Sequence, residues 1–173
     1  MTPAQIEVTR TYVEMTDPAD LRPARSHAEG LRIERVEECP ASFYRYLYAE
    51  VGRAYRWVDR LTWSDEDIKR HFADRAHSVW LFSVRGAPAG FFELKAYADG
   101  AVEIAYFGLL PEFIGRGLGK HLLTEAVQRA WELGARRVWL HTCSLDDKAA
   151  LPNYLARGFR RFREETYFAP ASQ

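Results

Sequence analysis

Ile114-Gly115-Arg116-Gly117-Leu118-Gly119-Lys120 joins a strand-like apolar run to a long amphipathic helix, and its reading decides the fold. Three glycines at alternate positions let the backbone turn tightly and bring amide hydrogens close to an anion. The helix that follows adds its unpaired first-turn amides and the positive end of its dipole. The stretch therefore reads as a phosphate cradle. Two better-known phosphate loops do not match its spelling. A P-loop requires Gly, four residues and then Gly-Lys-Ser/Thr, but Gly119-Lys120 is followed by His121, and Ile114 stands five residues before Gly119. A dinucleotide fingerprint requires Gly-x-Gly-x-x-Gly and an acid at the end of the next strand, where this chain has Leu140, His141 and Thr142.

Working outward, Leu118, Leu122, Ala126, Val127, Ala130 and Leu133 recur at helical spacing after the loop, and Gly134 supplies a left-handed stop. Arg137 to Thr142 then reads as a strand, which the helical crossover makes parallel to the one before the loop. Lys148 to Arg157 predicts another helix, with Pro152 near its first turn, and Phe159 to Phe168 a last strand. Upstream, Val79–Val84, Gly90–Tyr97 and Val102–Leu110 form three consecutive antiparallel strands, linked by Arg85-Gly86-Ala87-Pro88 and by an Asp99-Gly100 hairpin signal.

Further toward the N-terminus, alternation at Ile6, Val8, Tyr12 and Met15 predicts a first strand, and Leu31 to Val36 a second. Pro40 to Gly52 reads as a helix with Phe43, Leu47 and Val51 on one side. Ser64-Asp65-Glu66-Asp67 resembles a capping box that opens another helix to about Ala73. Residues 16–30, rich in proline and charge, read as a linker from the N-terminal strand to the main fold. The expectation is a single domain over residues 1–173 of α/β (α+β) class: a mixed, mostly antiparallel sheet flanked by helices.

A second signature lies in Asp147-Lys148-Ala149-Ala150-Leu151-Pro152-Asn153-Tyr154-Leu155-Ala156-Arg157-Gly158-Phe159. With the glycine loop, it resembles the GNAT superfamily of N-acetyltransferases. The family loop usually reads Gln/Arg-x-x-Gly-x-Gly/Ala, with Ile114 here at the Gln/Arg place and Gly117 and Gly119 at the small ones. The second family pattern is Asn-x-x-Ala-x-x-x-Tyr-x-x-x-Gly-Phe. Ala150, Tyr154, Gly158 and Phe159 are in register with it, and Asp147 replaces the Asn. The resemblance spans roughly residues 78 to 168.

The resemblance implies acetyl-CoA as cosubstrate, held by Gly115, Arg116, Gly117, Leu118, Gly119 and Lys120, with Asn153 nearby. It also implies that the two parallel strands splay apart, with peptide groups of Leu109 and Leu110 pairing with the pantetheine arm. Tyr154 matches the family tyrosine that serves the CoA sulfur as proton donor. Glu103 stands where some family members place a general base. Set among Val102, Ile104 and Phe107, its carboxyl would be desolvated toward a useful pKa; the alternative is a solvent-facing strand glutamate. His141 is another base or an acceptor-pocket residue. A Cys143–His141 nucleophile is disfavoured, because alternate residues on a strand lie roughly 7 Å apart. Tyr55, Trp57, Asp59, Arg60 and Trp63 lie where the family commonly builds its acceptor pocket. Aromatic faces with Asp59 suit a cationic amine, the alternative being a packed loop with a surface ion pair, and Glu93 is a further candidate.

Composition excludes other classes. Lys plus Arg and Asp plus Glu number 24 each in 173 residues, so no net charge draws the chain to nucleic acid or an anionic membrane. No apolar run approaches the roughly 20 residues of a membrane span. Cys39 and Cys143 are too isolated for a zinc cluster or disulfide framework, so a reduced, cytoplasmic, metal-free enzyme is expected. The leading reading is direct acetyl transfer to an amine of a small molecule or peptide. A non-catalytic acyl-CoA sensor or scaffold and a protein lysine or N-terminal acetyltransferase are the alternatives. A homodimer through the N-terminal strand is an arrangement the sequence leaves open.

Overall fold

In the computed structural model, which describes residues 3–171, the chain runs β1 (Gln5–Met15), β2 (Leu31–Arg35), α1 (Ala41–Gly52), α2 (Asp65–Ala73), β3 (His77–Val84), β4 (Ala87–Ala96), β5 (Ala101–Leu109), α3 (Gly119–Glu132), β6 (Arg137–Cys143), α4 (Ala150–Ala156) and β7 (Arg160–Pro170). The strands form one seven-stranded sheet in the order β2-β3-β4-β5-β6-β1-β7. Every neighbouring pair is antiparallel except β5 and β6, the sense that the α3 crossover imposes.

Local chemistry sets the element ends. Ser64 accepts the Asp67 amide at 3.1 Å while Asp67 Oδ2 accepts the Ser64 amide at 2.9 Å, so the capping box is complete at the start of α2. The β3–β4 turn puts Arg85 and Gly86 at φ 50° and 87°, the paired left-handed values of a tight hairpin. The predicted strands and helices are all present, most ends shifted by no more than two residues, and β4 starts three residues earlier than predicted, at Ala87.

Two apolar clusters sandwich the sheet. On one face α3 and α4 bury Leu122, Leu123, Ala126, Val127 and Tyr154 against Phe82, Phe92, Leu94, Val102, Ile104 and Leu140. On the other, α1 and α2 bury Tyr44, Leu47, Tyr48, Val51 and Ile68 against Val79, Phe91 and Leu110. Burial of this apolar surface is the main favourable term in folding.

The N-terminal third is built in more tightly than a linker reading suggests. β1 lies between β6 and β7, so both of its edges are paired within the chain. A homodimer that adds strands at β1 is therefore not available, and the free edges belong to β2 and β7. Residues 16–30 lie along α3 instead of spanning open space. The Ala24 amide donates to Thr124 Oγ1 at 3.0 Å, and Arg25 Nη2 donates to Gln128 at 2.6 Å. Among the described residues, no helix is long and apolar enough to cross a membrane.

Candidate active site

β5 and β6 pair only through Ala101–Arg137, Val102–Val138 and Glu103–Trp139. Beyond Glu103 the strands part, although β5 continues to Leu109 and β6 to Cys143. The Leu110 amide donates to Ala89 O at 2.8 Å, and Leu110 O accepts the Phe113 amide at 3.0 Å. Leu110 is thus spoken for, contrary to its expected part in holding a pantetheine arm. Alternation along the extended strand turns the Leu109 peptide the other way, into the gap.

The glycine loop closes one end of this gap. Gly115 and Gly117 take φ of 78° and 71°, a region that L side chains rarely adopt, and Gly119 begins α3 in ordinary helical conformation. The N-cap, Leu118, offers no side-chain acceptor, and the first α-helical bond is Leu122 N to Leu118 O. The amides of Gly119, Lys120 and His121 therefore emerge at the helix start without a helical partner, as an anion site needs. The Arg116 guanidinium lies instead 5.0 Å from the centre of the Phe113 ring, outside the lining of the cleft.

One cleft of about 1190 Å³ connects the gap to the rest of the site. That exceeds the roughly 300–1,000 Å³ of an ordinary single-ligand pocket and leaves room for two substrates. Tyr154 lies on its wall, 6 % exposed, edge-on to Phe107 and Phe159. Burial, and then the Asp146 carboxylate, push its phenol well above the ordinary value, so it stays protonated at neutral pH. Asn153 also lines the cleft; its Oδ1 accepts Arg157 Nη1 at 3.2 Å, and its Nδ2 lies next to Gly119. Asp147 does not reach this group, because its carboxylate accepts Tyr55 Oη at 3.1 Å and caps the Ala149 amide at 2.8 Å.

Glu103 opens on the cleft, but not among Val102, Ile104 and Phe107. Those three pack into the cluster beneath α3. A bulge at Ala105 sets Glu93 opposite Tyr106 and Leu94 opposite Ile104, and so turns Glu103 and Tyr106 to the α1–α2 face. There Tyr97 Oη donates to Glu103 Oε2 at 2.7 Å. His141 stands nearby, exposed at the cleft surface, its ring 5.5 Å from that of Tyr12. Desolvation and the Arg10 charge lower its pKa against the pull of Glu103, Asp146 and Glu165, which leaves a neutral imidazole at neutral pH. The Cys143 thiol is pushed up by burial and by Asp146, which removes thiolate character and disfavours a Cys–His nucleophile further.

The expected acceptor end departs furthest from the sequence reading. Trp57 and Asp59 line the cleft, but Trp63 does not, and its ring, one of the aromatic faces expected to receive a cationic substrate, holds the protein's own Arg60. Its guanidinium lies 4.7 Å from the Trp63 ring centre and 4.5 Å from that of Tyr106. Nη1 donates to Glu93 Oε2 at 2.6 Å, with the Tyr44 hydroxyl in contact with both groups. Glu93 is wholly buried and is the hub of this corner, with His71 Nε2 2.7 Å from Oε1. Burial alone would raise its carboxyl, but His71 and Arg60 outweigh that and hold it below the ordinary carboxylate range. His71, His77 and Lys95 also line the cleft and were not singled out from sequence. The available signal was the cross-strand row His77–Lys95–Glu103, which is visible only once register is known.

The family model for the "Acetyltransferase (GNAT) family" matches residues 41–159, and the chain belongs to that family. Among similar proteins, the mycothiol acetyltransferase of Corynebacterium aurimucosum is 32% identical over 184 aligned positions, which cover 94% of this chain and 60% of that protein. The chain thus spans about three fifths of the length of this relative. A GCN5-related N-acetyltransferase from Kribbella flavida superposes with a TM-score of 0.66 at 23% identity, over 95% of this chain and 58% of the other. A Bacillus subtilis acetyltransferase solved in complex with CoA gives 0.57 at 24% identity, over 75% and 76%. The structural likenesses show the shared fold.

Proposed function

We propose that the protein is an acetyl-CoA-dependent N-acetyltransferase that transfers an acetyl group directly to the amine of a small molecule or peptide bound in the same cleft. The observation that carries this reading is the β5–β6 gap, which runs from the uncapped start of α3 past Tyr154 to Glu103 and His141 within one cleft. The names of the relatives, a mycothiol acetyltransferase and an acetyltransferase solved with CoA, support the same chemistry.

The residues divide the work. The free amides at Gly119 and Lys120, with the Lys120 side chain, bind the pyrophosphate, and the Leu109 peptide pairs with the pantetheine amide. Acetyl-CoA supplies an activated thioester. The acceptor nitrogen attacks its carbonyl carbon, the carbon–sulfur bond breaks, and Tyr154 gives its proton to the departing sulfur. Glu103 takes the proton that the nitrogen loses, with neutral His141 beside it. Asp59 and Trp57 line the acceptor end.

The test is calorimetric titration with acetyl-CoA and CoA, followed by thiol detection over a panel of amino sugars, amino acids and peptides. Micromolar CoA binding with turnover of an amine is the expected result. Binding without turnover of any amine would favour the sensor alternative, and no binding by folded protein would overturn the reading.

A further inference from the structure

His71 near the end of α2, His77 at the start of β3 and Glu93 in the middle of β4 converge at the acceptor end of the cleft. Their nearest ligand-type atoms all lie within 4.8 Å of one another. We propose that these three residues form a binding site for a divalent transition-metal ion, Zn²⁺ by preference, with an open position toward the cleft.

The geometry is close to that of a three-ligand site. Around a tetrahedral zinc with bonds of about 2.0–2.1 Å, ligand atoms stand roughly 3.3 Å apart. His71 Nε2 and His77 Nδ1 lie 2.7 Å and 4.0 Å from the same oxygen, Glu93 Oε1, distances on either side of that value. The imidazole centroids lie 3.7 Å apart with the rings tilted by 36°, so a small rotation brings both nitrogens onto one ion.

The surroundings are prepared as well. Arg60 and Tyr44 hold Glu93 Oε2 at 2.6 and 2.8 Å, which fixes the carboxylate and leaves Oε1 for the ion. Outer partners of this kind orient metal ligands. His77 Nδ1 is buried without a hydrogen-bond partner, a cost that an ion would remove. Two imidazoles and a carboxylate suit zinc, with cobalt and nickel as substitutes, and suit magnesium and calcium poorly. Both histidines line the cleft, so the fourth position faces water or an acceptor heteroatom. The Arg60 charge opposes the ion, which makes the site exchangeable rather than permanently filled.

The proposal does not depend on acetyl transfer, and its test reads the ion itself. Tag-free protein is freed of metal with a chelator and titrated with Zn²⁺ by calorimetry and with Co²⁺ by visible absorption. One ion per chain is expected, with the strong d–d bands of four- or five-coordinate cobalt. His77→Ala and His71→Ala, each with a native near-ultraviolet dichroism spectrum, should lose about a hundredfold or more in affinity, at least as much as outer-shell changes cost. Folded wild-type protein that binds neither ion, or variants that keep the wild-type affinity, would overturn the proposal.

Discussion

Arg60 and Glu93 are joined at 2.6 Å in a corner where the carboxylate side chain is wholly buried and the guanidinium is 11% exposed. Removing one partner leaves the other charged and desolvated, which costs about 3–5 kcal/mol. Arg60→Met should therefore lower stability in urea by that amount. Arg60→Met combined with Glu93→Leu should cost less than the two single changes summed, and strict additivity in this double-mutant cycle would show that the pair is not coupled.

Tyr154→Phe removes only a hydroxyl from a well-packed ring. If that hydroxyl protonates the leaving sulfur, kcat should fall by about a hundredfold or more, while CoA affinity in calorimetry stays near wild type. An unchanged kcat would remove Tyr154 from the chemistry.

At Gly117, φ of 71° rather than crowding restricts the residue type, because a Cβ there meets nothing nearer than Lys120 Cε at 3.9 Å. Gly117→Val should strain the loop by about 1–2 kcal/mol; the free loop can relieve that strain by leaving the cradle conformation, so acetyl-CoA binding, which restores it, should weaken by roughly tenfold. Gly86→Ala, at a turn remote from the cleft with φ of 87°, should leave acetyl-CoA affinity unchanged and so separates local strain from a cradle effect.

His141 should make the site sensitive to acid. Desolvation by the surrounding cleft walls and the Arg10 charge lower its pKa from 6.5, against Glu103, Asp146 and Glu165, so it gains charge only below that value. The KM for a cationic acceptor should rise as pH falls below 6.5, and His141→Asn should flatten that rise. A rise that persists in the variant would assign it to another group.

Glu103→Gln should lower kcat/KM by about a hundredfold or more if the carboxylate takes the amine proton. Tyr97→Phe, which frees Glu103 Oε2 from its 2.7 Å hydrogen bond, should alter rate far less. Equal losses in steady-state assays would make the pair, rather than the carboxylate, the functional unit.

Features written in neighbouring residues were legible. The Ser64–Asp67 capping box, the Asp99-Gly100 turn and the glycine loop each depend on chemistry within a few positions, and the helical stripe of α3 declares its buried face. Features that depend on pairing between distant segments were not. Nothing local places β1 between β6 and β7. Nothing in Glu103-Ile104-Ala105-Tyr106 announces that Ala105 bulges, yet that one extra residue decides which face receives Glu103. Residues 55–63 read as one aromatic and charged cluster, but composition could not say that Tyr55 would turn to Asp147, Trp57 to Tyr48 and Tyr106, and Arg60 to Trp63 and Tyr106. His71, His77 and Glu93 come from three elements with no motif spacing.

The three rungs between β5 and β6 also make a narrow neck in the sheet, bridged on one face by α3. On one side stand β2 to β5 with α1 and α2; on the other stand β6, β1 and β7. A ligand that pairs with Leu109 acts as a missing strand, stitching the halves together above the neck. Occupancy should therefore raise the melting temperature and slow amide exchange along residues 104–109 and 140–143, so that the nucleotide thioester serves as a structural member for as long as it is bound.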